Sequence, residues 1–303
     1  MDYLNSEAFD ERPVGVADVG GTKTRVALYE NDSLKELEEF PTPKEEPLWK
    51  PLWSYFKDKE VQNIVIATMG PLKMSEGKVV SNPHSQIKDQ EVGRPLMERL
   101  KIPVLVINDC VAGAYAEFKA RNVENLVYLA FGTGVGAGAV VDGRLLLGRE
   151  GNAHEVGHFV MSLGLGLRCG CGKTDHAEAV LGGSNIVNYF KREGFEARNA
   201  AELFNLIRSN PKAFELFKRA LNSFVSSVIA FYDPEVVVLG GGVFSKNKKV
   251  FFSALEELED YLLWEAPKVE EALYGELSPL YGAGALGVER PQWLIKKLRY
   301  VFK

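Results

Sequence analysis

Apolar residues are spaced along this chain in two rhythms. The commoner is a short, mostly apolar run closed by glycine, asparagine or aspartate, the pattern of a buried strand. It occurs at residues 14–18, 25–29, 64–67, 104–107, 126–130, 137–141, 145–147 and 236–239. The other rhythm is helical. Phe214, Phe217, Leu221 and Phe224 mark a stripe through residues 212–230, and such a stripe belongs in a core. Residues 111–119 read as a helix directly behind the strand at 104–107. Residues 293–302 read as a terminal helix packed on the first domain, with Lys296, Lys297 and Arg299 on its solvated face. Strands interleaved with helices make this an α/β chain.

Two of the strand pairs are joined by glycine-rich turns. Gly20-Gly21-Thr22-Lys23 links 14–18 to 25–29, Gly132-Thr133-Gly134 links 126–130 to 137–141, and Gly240-Gly241-Gly242 closes the strand at 236–239. Glycines let backbone N–H groups approach an anion closely. Thr22 and Thr24 add hydroxyls, and Asp18 ends the first strand facing the same space. Turns of this composition also join hairpins that bind nothing, so the phosphate reading needs company. Two stricter motifs are excluded. The run from Gly132 to Ala137 fits the loose dinucleotide fingerprint, but a strand and an Asp142-Gly143 turn follow where a helix is required. Gly172-Lys173-Thr174 looks like the end of a P-loop, but the first glycine would fall at Leu167. The two glycine hairpins lie roughly a hundred residues apart, which suggests a diverged duplication and two similar domains.

Chemistry concentrates in residues 151–178, which hold three of the four histidines and two of the three cysteines. His158, Cys169, Cys171 and His176 match the ligand count of a closed tetrahedral zinc site. The Cys-x-Cys spacing is tight, and Gly170 and Gly172 let the backbone fold back around an ion. The alternative is a glycine-rich loop that happens to hold two thiols. Asp175 is a further possible ligand. Elsewhere, Asn108-Asp109 stands where a strand ends and a helix begins. Both residue types cap helices, and both suit a second role, in which helix amides keep Asp109 ionised as a proton acceptor.

Composition narrows the classes. At 303 residues, with 46% hydrophobic and 25% charged positions, the chain can build one large or two medium cores. A net charge of −5 without clustered Lys and Arg does not suggest a nucleic-acid surface. No apolar run reaches the ~18 residues of a membrane span, and residues 1–13 lack the apolar core of a signal peptide. With two cysteines assigned to metal, no second thiol remains for a disulfide with Cys110, which fits a reducing cytoplasmic compartment.

Glu155-Val156-Gly157-His158 followed by Cys169-Gly170-Cys171-Gly172 resembles the signature of the ROK family of sugar kinases and repressors. This sequence departs from it at Asp175, where the family has glycine, and at His176, where it has a third cysteine. Asp18-x-Gly20-Gly21-Thr22, Gly132-Thr133-Gly134 and Gly240-Gly241-Gly242 resemble the two phosphate loops and the adenosine loop of the actin–hexokinase–Hsp70 superfamily. The resemblance implies a two-domain, actin-like (ribonuclease H-like) fold with a cleft between domains, one of residues 1–107 plus 285–303 and one of 108–284. It implies ATP-dependent phosphorylation of a hexose at its 6-hydroxyl, with N-acetylglucosamine or N-acetylmannosamine as alternative sugars. Asp109 is then the base. Asn108, Glu155, His158 and Glu178 hold the sugar, with Gly70 and Asn82 beside it. Gly20, Gly21, Thr22, Lys23, Gly132, Thr133 and Gly134 take the ATP phosphates, Gly240 to Gly242 the adenosine, and Asp18 holds Mg²⁺ through water. Zinc is structural, and a homodimer is expected. A ROK-type repressor would need a DNA-binding domain ahead of the first hairpin, where only thirteen residues stand.

Overall fold

The computed structural model describes residues 11–80, 88–298 and 300. In chain order the strands and helices are β1 (Val14–Val19), β2 (Lys23–Glu30), β3 (Ser33–Pro41), α1 (Trp49–Phe56), β4 (Asn63–Thr68), β5 (Leu72–Lys73), β6 (Lys78–Val79), β7 (Gln90–Glu91), α2 (Gly93–Leu100), β8 (Val104–Asn108) and α3 (Asp109–Lys119). There follow β9 (Leu126–Phe131), β10 (Val135–Val141), β11 (Arg144–Leu145), α4 (Ala177–Leu181), α5 (Ile186–Arg192), α6 (Ala200–Ser209), α7 (Pro211–Tyr232), β12 (Val236–Gly240), α8 (Gly242–Ala254), β13 (Lys268–Glu271), α9 (Ser278–Glu289) and α10 (Gln292–Ile295). No helix among the described residues is long and apolar enough to cross a membrane.

The chain forms two compact units, residues 1–120 with 146–153 and 277–303, and residues 121–145 with 154–276. Each holds a five-stranded sheet. The first has the order β3-β2-β1-β4-β8 and the second β11-β10-β9-β12-β13. In both, an antiparallel three-strand meander is continued by two strands parallel to its first member. The repeated glycine hairpin thus has its counterpart in a repeated strand order.

The first unit's core gathers Val26, Leu52, Phe56, Ile64, Ile66, Leu96 and Val106, all buried. Each such side chain is worth about 1.5–3 kcal/mol of burial. The second unit packs Phe131, Phe204, Phe217, Phe244 and Phe251, with the Phe131 and Phe251 rings 5.0 Å apart. Phe217, Leu221 and Phe224 of the expected stripe are fully buried on α7, while Phe214 is half-buried.

The units divide the chain differently from the expected 1–107 plus 285–303. Helix α3 belongs to the first unit because it packs on α9, so closely that a Cβ on Gly282 would run into the Ala112 carbonyl. Residues 146–153 join it too: Asn152 exchanges two 2.8 Å hydrogen bonds with the Leu72 backbone, and Glu150 accepts from the Ser75 hydroxyl at 2.8 Å. Of the expected helix over 293–302, the start is found as α10, 296–298 and 300 are not helical, and 299, 301 and 302 lie outside the described residues. Beyond its turn, Leu298 and Tyr300 are buried, and the Tyr300 hydroxyl accepts from Val106 N–H at 3.1 Å. Lys296 is exposed as expected, whereas Lys297 is half-buried and donates to the Gly148 carbonyl at 2.7 Å. Arg299 lies outside the described residues.

Candidate active site and metal centre

In the first unit, β1, β4 and β8 run parallel, with Val19 opposite Thr68 and Thr68 opposite Asn108. Their carboxyl ends therefore line one sheet edge, the edge where open α/β sheets bind ligands. Asp18, the 20–23 turn, Gly70 and the Asn108-Asp109 pair all sit along it. The turn is closed by Gly20 N–H donating to the Lys23 carbonyl at 3.0 Å, and Thr22 is exposed. Thr24 is not available to a ligand as expected. It is buried, and its hydroxyl is 2.9 Å from that of Thr42, which also donates to the Gly20 carbonyl at 2.8 Å.

Asp18 is buried, with the Arg25 guanidinium 3.4 Å away. Burial, reinforced by the negative charge of Asp109, pushes its pKa up to about 7 despite Arg25. Arg25 in turn donates to Glu39 on β3 at 2.9 Å. Asn108 is the N-cap of α3: its Oδ1 accepts from Cys110 N–H at 2.9 Å and Val111 N–H at 3.1 Å. The cap uses the oxygen of the side chain only and leaves the amide NH₂ for another partner. Asp109 accepts from Cys110 N–H at 2.7 Å, yet its pKa is raised, because burial outweighs that hydrogen bond. The helix-start hydrogen bond does favour the ionised carboxylate, as expected, but burial is the larger influence. A raised pKa suits a proton acceptor better than a low one.

In the second unit the 131–135 loop is laid on the residues that follow α4. Gly183 N–H donates to the Gly132 carbonyl and Ser184 N–H to that of Thr133, both at 3.0 Å. A strand, β10, follows the loop, in line with the rejected dinucleotide fingerprint. At 240–242 the chain passes from β12 straight into α8, with Gly241 at φ +88°, a region that favours glycine. Gly240 lies against the Tyr128 ring, so the run of glycines there is partly a packing requirement.

His158, Cys169, Cys171 and His176 come together, their ligand atoms all within 4.8 Å of one another. His158 Nδ1 is 3.7 Å from Cys169 Sγ, and His176 Nδ1 is 3.3 Å from Cys171 Sγ. A tetrahedron with zinc bonds of about 2.0–2.3 Å has edges of about 3.5 Å, so the four atoms fit one zinc ion. The turn that brings the thiols round closes with Gly172 N–H on the Cys169 carbonyl at 3.0 Å, with Gly172 at φ +85°. The pKa of His176 is lowered, first by burial and then by His158, which favours the neutral form a metal needs. Asp175 is not part of the cluster. Its carboxylate accepts from the Gly164 and Leu167 amides at 3.1 and 2.9 Å, and its φ of +65° explains how it stands where the family pattern has glycine.

Glu155 lies 3.7 Å from His158 Nε2, on the ring's side away from Cys169. That is the carboxylate–histidine arrangement that orients metal-bound imidazoles. Glu178 is half-buried; it accepts from Val135 N–H at 3.2 Å and lies 3.1 Å from Cys169 Sγ. Asn82 lies outside the described residues. The residues that sequence reasoning missed are Arg25, Thr42 and the ligand-supporting role of Asp175. Only Arg25 carried a signal, as a charge inside an otherwise buried strand pattern.

The ROK family model matches residues 14–290 of this chain. A glucokinase of Pyrobaculum calidifontis is 36% identical over 242 residues, covering 78% of this chain and 81% of that protein. A glucokinase of Aeropyrum pernix is 32% identical over 322 residues of alignment, covering 92% of this chain and 98% of its own. Among solved structures, a ROK hexokinase from Thermus thermophilus is similar with a TM-score of 0.79 at 32% identity, over 92% of this chain and 100% of that one.

Proposed function

The chain belongs to the ROK family, and from that premise we propose that it is an ATP-dependent hexose kinase, moving the γ-phosphoryl group of ATP to the 6-hydroxyl of glucose or a close relative. The observation that carries the reading is the pairing of two carboxyl groups at one sheet edge, Asp18 ending β1 and Asp109 opening α3 behind β8. Both are held up in pKa, and they interact through their charges. Phosphoryl transfer asks the protein for position and charge neutralisation, with one group to receive the proton of the attacking hydroxyl.

Asp109 takes that proton as the sugar oxygen bonds to phosphorus and ADP leaves. Asn108 donates its NH₂ to a sugar hydroxyl, and Glu155, His158 and Glu178 meet other hydroxyls. The amides of the 20–23 and 132–134 turns bind the ATP phosphates, and residues 240–242 lie along the adenosine. Asp18 holds Mg²⁺, which neutralises phosphate charge when bound. His158, Cys169, Cys171 and His176 hold a structural zinc, which fixes the imidazole of His158. Assembly as a homodimer and residence in the cytoplasm belong to the same reading.

The test is a coupled assay of ADP release over glucose, mannose, N-acetylglucosamine and N-acetylmannosamine. Glucose is expected to give the highest kcat/KM. A clear preference for an N-acetylated sugar would move the substrate, and no turnover of any hexose would overturn the reading.

A further inference from the structure

We propose that Glu178 is a positioning residue for the 132–135 loop, holding it from the helix that follows the Cys/His cluster, beyond the sugar contact given to it above. The proposal deepens the kinase reading and rests on it where nucleotide binding is concerned. Helix α4 starts immediately after His176, so Glu178 stands two residues from a cluster member. Its two carboxylate oxygens do different things. Oε1 lies 3.1 Å from Cys169 Sγ and beside Gly170. Oε2 accepts from Val135 N–H at 3.2 Å and lies where a Cβ on Gly134 would be. Gly134 has no left-handed backbone that would demand glycine. Its missing side chain is space that the Glu178 carboxylate fills.

The far end of α4 completes the attachment. Gly183 and Ser184 bond the carbonyls of Gly132 and Thr133, and the Ser184 hydroxyl adds a 2.9 Å bond to the latter. The loop is thereby held at both ends by one short segment, 178–184, of which Glu178 is the only charged member. A carboxylate so placed sets the position of the Val135 amide and, through it, of the neighbouring amides that face phosphate in the kinase reading. Glu178→Gln keeps an oxygen for Val135 N–H; Glu178→Ala keeps none and empties the space beside Gly134.

The experiment uses the full chain. Calorimetry with a non-hydrolysable ATP analogue and Mg²⁺, without sugar, gives nucleotide affinity; amide exchange followed by NMR gives the protection of Val135. Glu178→Ala is expected to weaken the analogue by on the order of tenfold and to speed Val135 exchange by a similar factor, with Glu178→Gln restoring most of both. Gly134→Ala should do comparable damage in the wild-type background and little further damage on top of Glu178→Ala, a coupling that a purely local destabilisation would not produce. Unchanged Val135 protection in Glu178→Ala, or additive effects of the two substitutions, would overturn the proposal. A wild type that binds no nucleotide would instead overturn the kinase reading, and the exchange of Val135 would still decide the role of Glu178.

Discussion

Asp18 and Asp109 show how burial moves the same side chain away from its ordinary titration. Asp109 is half-buried, and the desolvation of its carboxyl outweighs the hydrogen bonds from Cys110, so its pKa is raised above the ordinary aspartate value. Asp109→Asn keeps the shape and removes the acceptor. Its kcat is expected to fall by about 10²- to 10⁴-fold, with sugar affinity by calorimetry changing far less. A kcat within about threefold of wild type would leave Asp109 as a helix cap only. Asp18 yields a stability prediction. Its folded-state pKa is about 7, against 3.8 for an unperturbed aspartate. Between those values the folded protein holds a proton that the unfolded chain has released, so stability falls as pH rises through the window. Without Mg²⁺, Asp18→Asn should therefore melt above wild type at pH 8 and at about the same temperature at pH 4. The ordinary ordering at both pH values would mean that Arg25 compensates the buried charge fully. The places of both aspartates at strand ends were legible, but the sign of the Asp109 shift was not. Burial is a property of everything packed around a residue, and the local helix start gave the opposite sign.

At the scale of elements, the junction between β8 and α3 turns on one side chain, Asn108. The Asn108 oxygen caps the helix while its NH₂ stays available. Asn108→Ser retains a cap and loses the NH₂, whereas Asn108→Ala loses both. The serine variant should keep the wild-type melting temperature and show a raised KM for sugar. The alanine variant should show the same KM defect and lose about 0.5–2 kcal/mol of stability by denaturant titration. If serine restores the KM as well, the NH₂ has no part in binding. Most strands were legible because short apolar runs between glycines have few other solutions. The elements that escaped share a reason. In β3 the charged face of an exposed edge strand removes the apolar pattern, as Lys35, Glu36, Glu38 and Glu39 show. In α9 the glycines at 282, 284 and 287 look like punctuation, yet they let the helix approach Ala112, Tyr29 and Val14. Helix α8 hides behind three glycines that read as a loop.

For the whole molecule, the likeness of two units could be read from two repeats of one glycine hairpin, because each hairpin is local, and the shared sheet order came from the fold. The assignment of α3 and of residues 146–153 to the first unit could not, since it rests on contacts between positions far apart in sequence, such as Asn152 with Leu72. The Cys/His cluster lies between these cases. Its four members were legible by type, but the choice of His176 over Asp175 required the fold, which commits the Asp175 carboxylate to two amides and aims His176 at Cys171. This division makes the metal centre testable as a structural device. Zinc binding is coupled to folding wherever the loop that holds the ligands has few other contacts, and the segment 162–176 is built of turns and isolated bridges with little regular structure. Protein dialysed against metal-free buffer is expected to retain one zinc per chain by elemental analysis. Cys171→Ser should lose the metal and melt at a lower temperature, by an amount that a strong chelator reproduces in the wild type and does not add to in the variant. Asp175→Asn removes no ligand from the cluster and should keep its zinc, although it weakens the turn. Zinc loss in Asp175→Asn with retention in His176→Ala would reverse the ligand assignment. A metal-free wild type with an unchanged melting temperature would show that the four residues hold no structural ion at all.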